Sequence, residues 1–171
     1  VGDEVYVLAD RCILKSGDGG DSWRAIDESY HGLGTLWADG PDRVLGIGYD
    51  TVRASTDRGA TWRRVSQPVQ AHLQRIDGAA EGPLFAVGYW DLIRSTDRGE
   101  RWQLAGHHRA RLFYDLLARD PGEIYLAGAG LFRTADGASL EAIDLGGRFT
   151  LRRVVADGDL VLAVGEDGVL V

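Results

Sequence analysis

The chain has 171 residues, 44% of them hydrophobic and 26% charged, with a net charge of −7. That length builds one well-buried domain and not two ordinary ones, and no apolar run approaches the roughly 20 residues of a membrane helix. An acidic chain lacks the basic face that a binder of phosphate backbones needs, which excludes nucleic acid as a partner.

Glycine occurs 24 times, about twice its usual share of roughly 7%, and calls for many tight turns. Cys12 is the single cysteine, so there is neither an intrachain disulfide nor a cysteine-based zinc site. Lys15 is the only lysine and methionine is absent. With no signal-like N-terminus, the chain fits a processed protein or an excised fragment.

In chain order, Val5–Ala9 and Cys12–Ser16 are short apolar runs joined by Ala9-Asp10-Arg11. A turn phrase follows, Ser16-Gly17-Asp18-Gly19-Gly20-Asp21-Ser22-Trp23. The next unit is complete. Gly34–Ala38 is a first strand, Asp39–Asp42 a turn, Arg43–Gly48 a second strand and Tyr49-Asp50 a tight connection. Thr51–Ser55 alternates as a half-buried third strand, and Thr61–Val65 closes the unit as a fourth. The second strand recurs at Leu84–Gly88, Ile124–Gly128 and Leu160–Gly165, and the third at Leu92–Ser95 and Leu131–Thr134. No segment sustains a helical period.

The turn phrase returns as Ser55-Thr56-Asp57-Arg58-Gly59-Ala60-Thr61-Trp62 and Ser95-Thr96-Asp97-Arg98-Gly99-Glu100-Arg101-Trp102, the latter with Arg101 where the others have Ser or Thr. A worn copy starts at Thr134-Ala135-Asp136 and has Ala138 and Glu141 where Gly and Trp stand elsewhere. Four short strands repeating at about 40 residues are the blades of a β-propeller, here about 4.5 of them. The expected fold is all-β, with four-stranded antiparallel blades in a single domain over 1–171. The blades fall near 1–28 (partial), 29–67, 68–106, 107–145 and 146–171 (partial). Counting three strands, three full blades and three more strands gives 18. Either the strand at Thr150–Val154 closes onto the first sheet, making four blades, or five blades remain with both ends one strand short. The second case implies a segment of a larger propeller or closure through another chain.

The phrase Ser-x-Asp-x-Gly-x-Ser/Thr-Trp resembles the Asp-box, or BNR repeat, of sialidases, sortilin-type receptors, some glycoside hydrolases and the photosystem II stability/assembly factor family. The resemblance places the box on the hairpin between third and fourth strands, away from any active site. It therefore assigns Ser16, Asp18, Gly20 and Trp23, then Ser55, Asp57, Gly59 and Trp62, then Ser95, Asp97, Gly99 and Trp102 to structural work. The local physics agrees. An Asp in such a turn accepts N–H groups of its own backbone, Gly supplies positive φ, and Trp folds over the hairpin. The resemblance also favours an extracytoplasmic setting.

Ligands of such propellers bind on the opposite face, where loops between second and third strands meet the connections between blades. Those loops hold Asp10, Tyr49, Asp50, Tyr89, Trp90, Asp91 and Asp167, the candidate ligand-binding residues. Aromatic faces beside carboxylates suit a sugar or a cationic side chain, while the same residues also suit plain hairpin turns. The connections carry His31, His72, His107 and His108, with no spacing that dictates a metal site, and a basic stretch at Gly106–Arg111. Neither metal nor cofactor is expected. No catalytic set is recognisable, and the Arg-Ile-Pro string of resembling sialidases is absent, Arg75-Ile76-Asp77 being nearest. The expected function is a non-catalytic module binding a protein or a glycan. The alternatives are a glycoside hydrolase, sialidase-like or xyloglucan-cleaving, whole or in part, and a cut or engineered segment that closes by homo-oligomerisation.

Overall fold

A computed structural model describes residues 4–9, 12–27, 32–38, 40, 42–65, 67–68, 72–79, 82–109, 111–120, 122–166 and 168. Every regular element among them is a strand. The first sheet has three: β1 (Val5–Leu8), β2 (Ile13–Ser16) and β3 (Arg24–Asp27). Three four-stranded sheets follow. They are β4 (Leu33–Ala38), β5 (Val44–Gly48), β6 (Val52–Ser55) and β7 (Arg63–Val65); then β8 (Leu73–Gly78), β9 (Leu84–Gly88), β10 (Asp91–Ser95) and β11 (Gln103–His107); then β12 (Phe113–Asp120), β13 (Glu123–Gly128), β14 (Gly130–Thr134) and β15 (Glu141–Ile143). The last sheet is β16 (Leu151–Asp157) with β17 (Leu160–Gly165). Each sheet is an antiparallel meander, and the sheets are blades of a propeller.

Seventeen strands lie among the described residues; the eighteenth expected strand falls at the chain end, mostly outside them. Among the described residues β16 pairs with β17 alone, bonded from Leu151↔Gly165 to Asp157↔Leu160, so the closure onto the first sheet that a four-blade ring needs is not formed among them.

The core lies between sheets. One cluster joins the second and third blades through Leu45, Ile47, Val52, Leu73, Ile76 and Trp102. A second joins the third and fourth through Phe85, Val87, Leu92, Phe113, Leu116 and Phe132. A third seats Leu151, Val154 and Ala163 against Tyr125, Ala127 and Leu131. Because neighbours cover both faces, Val52, Ala54 and Ser55 are all buried, which corrects the half-buried alternation expected of Thr51–Ser55. Full burial of each large side chain contributes roughly 1.5–3 kcal/mol.

The repeated turns have one geometry. Ser16, Ser55 and Ser95 each accept the N–H of the glycine four residues on, at 2.8 Å in all three. The aspartate Oδ1 then takes the N–H of the residue two beyond that glycine: Ser22 to Asp18 at 2.9 Å, Thr61 to Asp57 and Arg101 to Asp97 at 2.8 Å. The indole N–H returns to the glycine carbonyl, Trp23 to Gly20 at 2.9 Å, Trp62 to Gly59 at 3.1 Å and Trp102 to Gly99 at 3.2 Å. Gly59 and Gly99 have φ of 82° and 83°, and a Cβ on them would lie 2.6 Å or less from Leu45 Cδ1 or Ile26 Cδ1 of the preceding blade. The turn is thus also an inter-blade contact. In the worn copy Gly137 takes over one position early: its N–H reaches Thr134 Oγ1 at 2.9 Å with φ 86°.

These bonds act on the carboxylates. The Ser16 and Ser22 hydroxyls and the Ser22 N–H hold Asp18 well below the usual range. The Thr61 hydroxyl and N–H, then the Ser55 hydroxyl, lower Asp57 to about 2. Desolvation pushes Asp97 upward, but the Arg101 N–H and Ser95 hydroxyl outweigh it and the net direction is down. A depressed acid adds stability that is complete above its unfolded value, roughly 3.9, and is lost as pH falls through the folded value. The melting temperature is therefore expected to fall as pH drops from about 4 towards 2. Asp57→Asn should flatten that fall in thermal scans across pH; an unchanged slope would refute the assignment.

Candidate functional site

The candidate ligand residues lie at one end of the blades. In the second, fourth and last blades the second strand closes on glycine, and the next residue's N–H donates to a carbonyl of the connection entering the same blade. Tyr49 N–H reaches Gly32 O at 3.3 Å, Ala129 N–H reaches Leu112 O at 3.1 Å, and Glu166 N–H reaches Thr150 O at 3.3 Å. A Cβ on the preceding glycine would overlap that same carbonyl oxygen, at 1.7 Å for Gly48, 1.9 Å for Gly128 and 2.2 Å for Gly165. The loops are held from the next blade as well. Tyr89 O accepts Phe113 N–H at 3.2 Å, and Trp90 O accepts His108 N–H at 2.7 Å. Loops between second and third strands and connections between blades therefore share one face. The Ser-x-Asp-x-Gly turns are at the other, where Arg58 N–H bonds Asp42 O at 3.2 Å.

On this fixed frame the structure brings four rings from two blades into one strip. Tyr49 meets His72 with centroids 3.6 Å apart, His72 lies 5.5 Å from Tyr89, and Tyr89 lies 6.3 Å from Trp90. Tyr49 is 64% exposed, Trp90 46% and Tyr89 37%, far above what packing in a core leaves. Successive rings are tilted by 57°, 33° and 52°, so the strip is ridged rather than flat.

Each end of the strip carries an acid. Asp91, at the Trp90 end, is in contact with His107 Nδ1, and Arg109 Nε donates to His107 Nε2 at 2.9 Å. Asp50, at the Tyr49 end, is exposed; its backbone carbonyl accepts Arg64 at 2.9 Å, and its carboxylate has no hydrogen-bond or ion-pair partner among the described residues. Asp10 and Asp167, the remaining candidates, lie outside the described residues, as does His31. His108 turns away from the strip onto Gly137 O at 3.0 Å and the edge of Phe113. No group of three or more His, Cys, Asp or Glu able to hold a metal occurs among the described residues.

His72 belongs to the strip, although the sequence alone offers it only as one of four histidines on the connections between blades. The signal was its position, on the connection that enters the blade of Tyr89. Beyond the strip, the fourth blade has Ala129-Gly130 in place of a Tyr-Asp pair, and a recess of about 460 Å³ opens there against Leu131, Phe132, Ile143, Leu145 and Phe149.

Arg75-Ile76-Asp77 lies on the innermost strand β8, away from the loops. Arg75 Nε donates to Asp115 Oδ1 at 2.6 Å, and Asp115 Oδ2 accepts Val154 N–H at 2.9 Å. Asp77 Oδ2 accepts Ala118 N–H at 2.9 Å, and desolvation raises its pKa. These carboxylates tie inner strands of neighbouring blades together. Sequence reasoning passed over Asp115.

No family model matches the sequence, and no curated protein matches it. Solved structures do. YCF48 from Cyanidioschyzon merolae is 17% identical over 99% of this chain and 63% of its own, with a TM-score of 0.75. A second YCF48 structure, bound to a D1 peptide, is 18% identical over 99% of this chain and 74% of its own, at 0.58. The GH74 enzyme of Niastella koreensis is 19% identical over 98% of this chain and 32% of its own, at 0.75. The extracellular domain of BT4673 from B. thetaiotaomicron is 10% identical over 99% of this chain and 25% of its own, at 0.78. The chain thus spans between a quarter and three quarters of the proteins it is similar to. Their common ground with it is the fold. No helix among the described residues is long and apolar enough to cross a membrane.

Proposed function

We propose that this chain is a non-catalytic binding or assembly module that engages a segment of another protein through its loop face. The observation that carries the reading is the strip in which half-buried His72 joins exposed Tyr49, Tyr89 and Trp90 on loops anchored by backbone hydrogen bonds. A preorganised aromatic surface loses little entropy on binding. Its ridged profile suits side chains that enter between rings, and suits less well the flat stacking that sugar faces prefer. The apolar recess beside Gly130 offers a second foothold. YCF48 bound to a D1 peptide, a similar propeller, is a precedent for peptide binding on this fold.

The hydrolase reading asks for two carboxylates framing one glycosidic bond. Here Asp91 is engaged by His107, and Asp50 stands on a different blade. An extracytoplasmic setting and membership of the Asp-box repeat family remain part of the proposal, the last supported by three turns of one hydrogen-bond geometry, while a glycan ligand is the alternative to a protein segment. So does the division of the chain into one propeller domain with partial first and last blades. Val7 and Trp23 on the first sheet, and Val155, Leu160 and Val164 on the last, are exposed, whereas Trp102, the counterpart of Trp23, is buried. We propose that further blades cover these faces, from the same polypeptide or from a second copy; molar mass in solution separates the two.

Selection from a random-peptide phage library tests the reading. Tyr49→Ala/Tyr89→Ala is expected to weaken the selected peptides by at least about tenfold, since buried aromatic anchors dominate such interfaces, with the fold intact by circular dichroism. Failure to select any peptide, or equal binding by the double variant, overturns it. Turnover of chromogenic glycosides that vanishes in Asp50→Ala or Asp91→Ala would establish the hydrolase instead.

A further inference from the structure

We infer that the strip is a receptor for a basic side chain, and that the arginine or lysine of the bound segment seats at the Tyr49–Asp50 end. This rests on the loop-face reading and adds the ligand's chemistry and its position.

The two ends of the strip differ in charge balance. At the Trp90 end, Asp91 already has an imidazole against it, and Arg109 stands behind that imidazole. A ligand cation there would meet an acid whose carboxylate is already engaged. At the Tyr49 end, Asp50 is exposed and its carboxylate is unengaged among the described residues. Arg64 spends a guanidinium N–H on the Asp50 backbone carbonyl at 2.9 Å and makes no ion pair with the carboxylate among the described residues.

Tyr49 stands 64% exposed directly before Asp50, and Tyr89 is the next exposed π-face across His72. A cation over a tyrosine face gains from the ring quadrupole, and a carboxylate alongside adds a charge-assisted hydrogen bond. An anionic residue at the same place would meet Asp50 and ring faces of like sign. The net charge of −7 works in the same direction by drawing basic segments toward the surface.

The test uses peptides selected on the intact chain, resynthesised with each basic residue replaced by glutamine. Enrichment of Arg or Lys among the selected peptides is expected. One Arg→Gln or Lys→Gln change should weaken binding about tenfold, and against Asp50→Asn that penalty should shrink to about two- or threefold. Raising salt should weaken wild-type binding more than Asp50→Asn binding. Three results overturn the inference: no enrichment of basic residues, an indifferent glutamine replacement, or a penalty unchanged in Asp50→Asn. If Tyr49→Ala/Tyr89→Ala still abolishes binding in those cases, the loop-face reading stands and only the ligand chemistry falls. If no peptide is selected, both fall together.

Discussion

Gly128→Ala is expected to destabilise the protein by roughly 2–4 kcal/mol, a loss far above that of an ordinary surface substitution. The added methyl would sit 1.9 Å from Leu112 O, 2.9 Å from Leu112 C and 3.0 Å from Phe113 Cα. All three are backbone atoms, so no rotamer change relieves the overlap. Leu112 O also accepts Ala129 N–H, and Phe113 is fully buried against Phe132 and His108. Moving the connection therefore breaks a hydrogen bond and a core contact together. Gly48→Ala carries the same penalty against Gly32 O and would in addition displace the loop that holds Tyr49. Gly17→Ala is the matched control: nothing lies within 4 Å of its added Cβ, and its stability should change by no more than about 0.5 kcal/mol. Urea denaturation followed by tryptophan fluorescence reads all three. If Gly128→Ala and Gly17→Ala were equal, the close approach would not be a constraint of the fold.

These glycines show what the sequence could disclose. Their recurrence at the end of the second strand in four of the five blades was visible, because a period of about 40 residues aligns them with the turn phrase. What the glycine touches was not, since its partner is a carbonyl one whole strand earlier in the chain. The blades, their strand order and the face of each turn were legible for the same reason: local patterns repeat, and repetition fixes phase. Burial of the third strand was less legible. Thr51–Ser55 alternates as though one side were wet, and only the neighbouring blade dries the other. The inner strands hide more. β4, β8, β12 and β16 each shift register after their first residue, at Leu33/Thr35, Leu73/Arg75, Phe113/Asp115 and Leu151/Arg153. A bulge of one residue leaves no mark in composition, yet it re-aims every side chain that follows. In the candidate site Tyr49, Tyr89 and Trp90 were found through their loops, whereas the joining ring, His72, comes from a different segment, and no period brings it forward.

Asp115→Ala is the other substitution expected to cost several kcal/mol, and the cause is a buried charge rather than a close approach. Asp115 is 2% exposed and holds three blades at once, being on β12 itself, bonded to Arg75 of β8 and to the Val154 N–H of β16. Alanine removes two charge-assisted bonds and leaves the Val154 N–H buried with no acceptor. Breaking a fully buried pair costs about 3–5 kcal/mol, and because the Arg75 side chain is 36% exposed and regains water, about 2–4 kcal/mol is expected here. Near this size each kcal/mol moves the melting temperature by roughly 2–4 °C. Asp115→Asn keeps an acceptor for Val154 but turns an amide donor toward Arg75, and should lose about half as much. Arg75→Ala leaves a buried carboxylate without its counter-charge, so Arg75→Ala/Asp115→Ala should cost less than the two single losses added together. A strictly additive double variant would mean that the pair contributes no coupling, and that Asp115 acts through the Val154 N–H alone. Coupling of about 1 kcal/mol or more would instead place the tie between inner strands at the centre of what holds successive blades, and the ring-bearing loops above them, in register.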